Sequence, residues 1–104
     1  MIAKKIEEFI ECLDEERFYD AHEALEAIWF KRRFEKSPEI QLLKGFINAA
    51  VSFELIKRGR VPQSKKVWKN YLKYRQLLFK VTSQHQNSYY QLSRKVEDIK
   101  KRLH

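Results

Sequence analysis

The chain is 104 residues long, the size of one ordinary domain, and it is 43% apolar and 13% aromatic, enough to bury a core although 35% of it is charged. That excludes wholesale disorder; two glycines and two prolines are too few for a hairpin-rich β fold, and no apolar run reaches the roughly 18 residues of a membrane span. The net charge of +8 is unevenly spread: residues 1–35 carry 6 Lys/Arg against 10 Asp/Glu, the remainder 16 against 4, and nine basic residues run from Lys57 to Lys80 with no acid among them.

Ile2, Ile6, Phe9, Ile10 and Leu13 recur at helical spacing and predict a first amphipathic helix over residues 2–15. A second is expected from Asp20 to about Phe34, with Asp20 as N-cap and Glu23 reaching back to it in a capping box. Ser37-Pro38 is a cap followed by proline at the first helical position, and opens a third helix, 38–58, whose apolar residues point in nearly all directions. Such a helix is a buried central element. On it Gly45, Ala49 and Ser52 form a small-residue stripe suited to close packing. Gly59-Arg60-Val61-Pro62 stops it and starts a fourth, 62–82, with Val67, Tyr71, Tyr74, Leu78 and Val81 on one packing face and Trp68, Leu72 and Phe79 on another. Gln84 to Ser88 reads as a loop, and Leu92, Val96, Ile99 and Leu103 mark a last amphipathic helix. The expected fold is all-α: a single domain of about five helices around the buried helix 38–58.

The most informative stretch is Tyr19 to Trp29, where His22, Glu26 and Trp29 stand at i, i+4 and i+7 and share one helix face. A histidine and a carboxylate beside an apolar stripe need hydrogen-bond partners. Asn48 and Ser52 of the central helix, with Gln41, are the expected partners. In the first helical turn the dipole disfavours a charged imidazole, so a neutral ring is expected. Two roles compete: a polar network that sets the register of the second helix on the third, or a small-ligand pocket made by His22, Glu23, Glu26, Trp29, Asn48 and Ser52. Glu23 is also explained by capping alone. The spelling His-Glu-x-x-Glu differs from the zincin His-Glu-x-x-His by its last ligand, which leaves His22 and Glu26 as the only metal-binding pair in sight. Neither His85, in the predicted loop, nor His104 has a visible reason to complete a site. Cys12 reads as a small buried hydrophobe.

The run His22, Glu23, Leu25, Glu26, Trp29, followed by Leu43-Lys44-Gly45-Phe46-Ile47-Asn48-Ala49-Ala50 and Gly59, resembles a small prokaryotic family called domain of unknown function family 309, over about residues 9 to 80. Members typically read Gln-Gly-Leu-Ile-Gln-Leu-Ala-Ala in the second segment, so Lys44 and Asn48 depart from the pattern, as do Gln63-Ser64 after the turn. The resemblance implies a helical bundle with an inward-facing polar cluster and no established activity.

The functional expectation is a cytoplasmic binding or interaction protein, with a small ligand or a protein as partner, no membrane, and self-association open. The single cysteine and the absence of an apolar leader in the opening residues point to the cytoplasm. No cofactor is expected; were a divalent metal to bind, His22 and Glu26 would be its ligands. The alternative is sequence-nonspecific nucleic-acid binding along Lys65, Lys66, Lys69, Lys73 and Lys80, supported by Lys57, Arg58 and Arg60. Against it, Trp68, Tyr71, Tyr74 and Phe79 sit at core-facing phases, poorly placed to stack on bases. The third reading is a metal-dependent hydrolase, against which the missing second histidine stands.

Overall fold

The computed structural model describes residues 2–103. Five α-helices, α1 (Ile2–Asp14), α2 (Phe18–Lys31), α3 (Pro38–Lys57), α4 (Val61–Arg75) and α5 (Gln86–Arg102), are joined by short turns, with a 3₁₀ segment, Gln76–Lys80, after α4. No described residue forms a strand, and no helix among the described residues is long and apolar enough to cross a membrane.

Helix α3 is the centre, as its all-round apolar pattern predicts. Ser37 caps it by accepting from the Ile40 N–H at 3.4 Å, with Pro38 at its first position. Ten of its residues are buried. Phe46 meets the rings of Phe9, Tyr71 and Tyr89 at centroid separations of 6.5, 5.8 and 6.3 Å, and Phe53 meets Phe18 and Trp68 at 5.3 and 5.8 Å. Two phenylalanines two turns apart therefore touch all four other helices.

The small-residue stripe faces α4. A Cβ on Gly45 would lie 2.7 Å from the Tyr74 Cβ, and the Ser64 hydroxyl donates to the Ser52 carbonyl at 2.9 Å. Helix α3 ends in a Schellman turn: the Arg60 N–H donates to the Leu55 carbonyl and the Gly59 N–H to that of Ile56, with Gly59 at φ 77°. Helix α1 ends in the same way, Arg17 N–H to Cys12 and Glu16 N–H to Leu13, with Glu16 in the left-handed position at φ 57°.

Three expectations are corrected. Helix α2 starts at Phe18, not Asp20, and stops at Lys31 rather than Phe34. The cap position is Arg17, which makes no side-chain cap bond, while the Asp20 carboxylate accepts from the Arg17 guanidinium at 3.0 Å and Glu23 closes no capping box. Burial of Phe18 against Phe53 outweighs the local cap preference. The single helix expected over 62–82 tightens to 3₁₀ geometry after Arg75. A 3₁₀ turn advances about 20° more per residue than an α turn, so Leu78 stays in the core while Phe79, expected to pack, is turned out to 76% exposure. Finally, Gln86 to Ser88 are the first turn of α5 and not loop. The start of α5 is pinned from elsewhere in the fold: the Tyr89 hydroxyl donates to Glu39 at 2.6 Å, and Ser83 donates to the same oxygen at 3.0 Å while accepting from the His85 N–H at 3.1 Å.

Two glycines carry different burdens, and their alanine variants separate them. Gly45→Ala drives a methyl group into Tyr74 and is expected to cost about 2 kcal/mol in chemical denaturation. Gly59→Ala meets no neighbour and is expected to cost about 1 kcal/mol, the backbone term alone.

The buried tyrosines set the alkaline limit. Burial pushes Tyr71 up to about 12, and burial together with the Glu39 carboxylate pushes Tyr89 well above its ordinary value. Both hold their protons more tightly folded than unfolded. Their contribution to stability is therefore whole below about pH 10, the unfolded value, and lost as pH rises toward 12. Denaturation midpoints are expected to fall between those limits, less steeply in Tyr71→Phe.

Candidate functional site

The imidazole of His22 is mostly buried. Its Nδ1 lies 3.1 Å from the Tyr19 carbonyl, one turn back on α2, and the Tyr19 ring stands edge-on at 5.3 Å. A carbonyl only accepts, so Nδ1 carries the hydrogen of that bond. The nearest charge to Nε2 is the Glu26 carboxylate, 3.7 Å away and 46% exposed. His22 opens onto a recess of about 280 Å³ between α2 and α3, walled by Phe18, Tyr19, Val51 and Leu55. At its rim Arg58 donates to Glu54 at 2.7 Å.

The partners expected from α3 do not come to this histidine. Asn48 donates to the Lys44 carbonyl of its own helix at 2.8 Å and accepts from Asn70 of α4 at 3.5 Å. Ser52 donates to the Ala49 carbonyl at 2.7 Å and is buried against α4. Both polar groups are satisfied on the α4 side, so no α2–α3 hydrogen-bond network forms around His22. Trp29, three turns along α2 from Tyr19, borders a different hollow, of about 250 Å³, with Gln41, Lys44 and Tyr74. Glu23 lies on another face of α2, in a groove against α1 with Lys5, Glu8, Arg17 and Asp20. The six expected pocket residues thus form no common pocket: His22, Glu23 and Trp29 line three different recesses, Glu26 lines none of them, and Asn48 and Ser52 lie toward α4. The residues that do wall the His22 recess, Tyr19, Val51 and Leu55, were legible only as helix neighbours of the motif. Which face of α3 meets α2 is a packing outcome.

Residues 6–67 match the family model described as Domain of unknown function (DUF309). The chain belongs to the DUF309 family. No curated protein and no solved structure matches it. The matched span is shorter at its end than the resemblance over residues 9 to 80. It holds α2, α3 and their recess, but only the first half of α4, so of the lysines on α4 the DUF309 match takes in Lys65 and Lys66.

Among the described residues no three His, Cys, Asp or Glu side chains converge as metal ligands. His85 stands at the N-cap position of α5, with no side-chain cap bond, beside Ile28 and Arg32, and His104 lies outside the described residues. Cys12 is buried, and desolvation pushes its thiol up, away from the reactive thiolate.

The charges are sorted by the fold. Acidic groups at the end of α1 meet cations from α3 and α5: Asp14 with Lys95 at 2.5 Å, Glu16 with Lys57 at 3.9 Å and with Arg102 at 3.7 Å. Arg75 pairs with Glu97 at 2.8 Å. On α4, Lys65, Lys66, Lys69 and Lys73 are exposed, and none has a carboxylate partner among the described residues. Lys80 leaves their row, because the 3₁₀ segment rotates it by about 100°.

Because the one hydrogen bond of His22 stays within α2, His22→Ala is expected to lower stability by about 1 kcal/mol or less in chemical denaturation. A loss beyond about 2 kcal/mol would instead reveal a network spanning helices.

Proposed function

We propose that this DUF309 chain is a binding protein, not an enzyme, and that its small-ligand site is the recess beside His22. One observation carries the reading: a largely buried imidazole, hydrogen-bonded only to a carbonyl of its own helix, lines an apolar recess between α2 and α3. Apolar walls with one directional polar group are the usual composition of a ligand site. The chemistry favours a compact apolar ligand with one hydrogen-bonding group for the imidazole. Arg58 at the rim offers a cation to an anionic end. His22 and Glu26 supply at most two ligands to a divalent metal, too few for a structural or hydrolytic site. The buried, unpaired Cys12 supports a reducing compartment such as the cytoplasm.

The test is thermal denaturation of wild type and His22→Ala against a library of small apolar compounds with one hydrogen-bonding group. A ligand at about 100 times its Kd stabilises by about 2.7 kcal/mol. The expected result is a set of compounds that raise the wild-type Tm and leave His22→Ala unmoved, with no rise from zinc or manganese. Compounds that stabilise both proteins equally would remove the recess from consideration.

A second reading rests on a separate observation, the uncompensated lysines. Lys65, Lys66, Lys69 and Lys73 hold no carboxylate, whereas Lys57, Arg75, Lys95 and Arg102 are each paired with one. Four unpaired ammonium groups along one helix fit the phosphates of a nucleic acid, bound without sequence preference.

A further inference from the structure

The hollow at Trp29 combines aromatic rings with cations. Trp29, Phe34 and Tyr74 supply rings, and Arg33, Lys36 and Lys44 supply charge. The Lys44 ammonium lies 5.3 Å from the Trp29 ring centroid and 5.9 Å from that of Tyr74. The Arg33 guanidinium sits 4.6 Å from the Phe34 ring, and Phe34 is 83% exposed. None of the three cations has a carboxylate partner among the described residues; Glu35, the one acid at the hollow, is held by two hydrogen bonds from Arg32 at 2.8 and 2.9 Å.

This hollow adjoins the lysine row. Lys73 lies 5.8 Å from the same Tyr74 ring that Lys44 approaches. At helical spacing Lys66, Asn70 and Lys73 share the flank of α4 that carries Tyr74, so the row leads along α4 into the hollow. The objection raised by the sequence, that the nearby aromatics all face the core, applies to Tyr71, which is fully buried. It does not apply to Tyr74 and Trp29, which border the hollow, or to Phe34, which lies past the end of α2.

We propose that this surface binds single-stranded nucleic acid, with the backbone on Lys66, Lys69 and Lys73 and one or two bases in the hollow against Trp29, Tyr74 and Phe34. The inference rests on the second reading above, that the lysines on α4 bind phosphates, and adds the form of nucleic acid. A cationic track beside aromatic platforms is the composition by which proteins hold unpaired strands. A duplex keeps its base faces stacked inside and offers these rings nothing. Arg33 and Lys44 complement phosphates flanking a base in the hollow.

The experiment is fluorescence anisotropy with three probes: a labelled oligothymidylate of about 20 nucleotides, a duplex of the same length, and thymidine monophosphate as competitor. Proteins are wild type, Phe34→Ala, Tyr74→Ala and the pair Lys69→Glu with Lys73→Glu. Phe34 is exposed, and Tyr74→Ala keeps the Cβ that packs on Gly45, so both variants are expected to fold, with circular dichroism as the check. Wild type is expected to bind the single strand at least about ten-fold more tightly than the duplex. Each aromatic variant is expected to lose about ten-fold on the single strand alone, the scale of one base-ring contact. With four or five cations engaged, log K should fall against log salt with a slope of about −3, and the double glutamate variant should lose binding to both polymers. Equal binding of single strand and duplex, with silent aromatic variants, would overturn the inference and leave the lysine reading standing. No binding of either polymer at low salt would overturn both. Thymidine monophosphate competing as strongly as the oligonucleotide, nucleotide for nucleotide, would overturn it in favour of a mononucleotide site.

Discussion

Burial of α3 on every side is the constraint on which the rest of the molecule depends. A 20-residue helix spans about 30 Å, and this one has no face reserved for water along most of its length. Each of the other helices is amphipathic and covers part of it. Phe46 and Phe53 collect rings from α1, α2, α4 and α5, so the aromatic core is one connected set rather than separate pairwise contacts. The closest approach is at Gly45, where α4 lies against the backbone of α3 and no side chain larger than hydrogen fits without displacement.

That arrangement decides where polar groups on α3 go. Asn48 and Ser52 sit on the flank that α4 covers, and their hydrogen bonds are made to α3 itself and to α4. His22 on α2 is left with a local backbone bond and an outward-facing carboxylate. A buried polar group that is satisfied within its own helix does not fix the register between helices. In this bundle the register comes from packing of aromatics and small residues, which frees the His22 edge for contact with something else. Polar links that do join helices run elsewhere, among them Tyr89 to Glu39 and Tyr71 to Ser93. Both tie α5 to the core.

The charge distribution has the same origin. Acidic residues at the end of α1 come beside the ends of α3 and α5, and the ion pairs there are exposed and individually weak. Helix α4 has no acid of its own, and its outer face meets no acidic element. Its lysines stand exposed to water, next to the aromatic hollow that α2, α3 and α4 form together.

Much of this was determined by the sequence alone. All-α class, the number of helices, the central position of residues 38–58, the Ser37-Pro38 cap and the Gly59 stop follow from local rules: hydrophobic period, caps and left-handed glycine act within a few residues. Membership of the DUF309 family was legible in the His22 to Trp29 run. The tertiary structure alone decided the rest. Phe18 began α2 early because Phe53 was there to cover it. The 3₁₀ turn after Arg75 moved Phe79 and Lys80 off their expected faces. His22 and Trp29, on one face of α2, came to border different cavities, because a shared face spans several turns while a cavity spans one or two. Periodicity tells which residues of one helix point the same way. What lies opposite them depends on the azimuth at which two helices meet, and that is set by the packing of both.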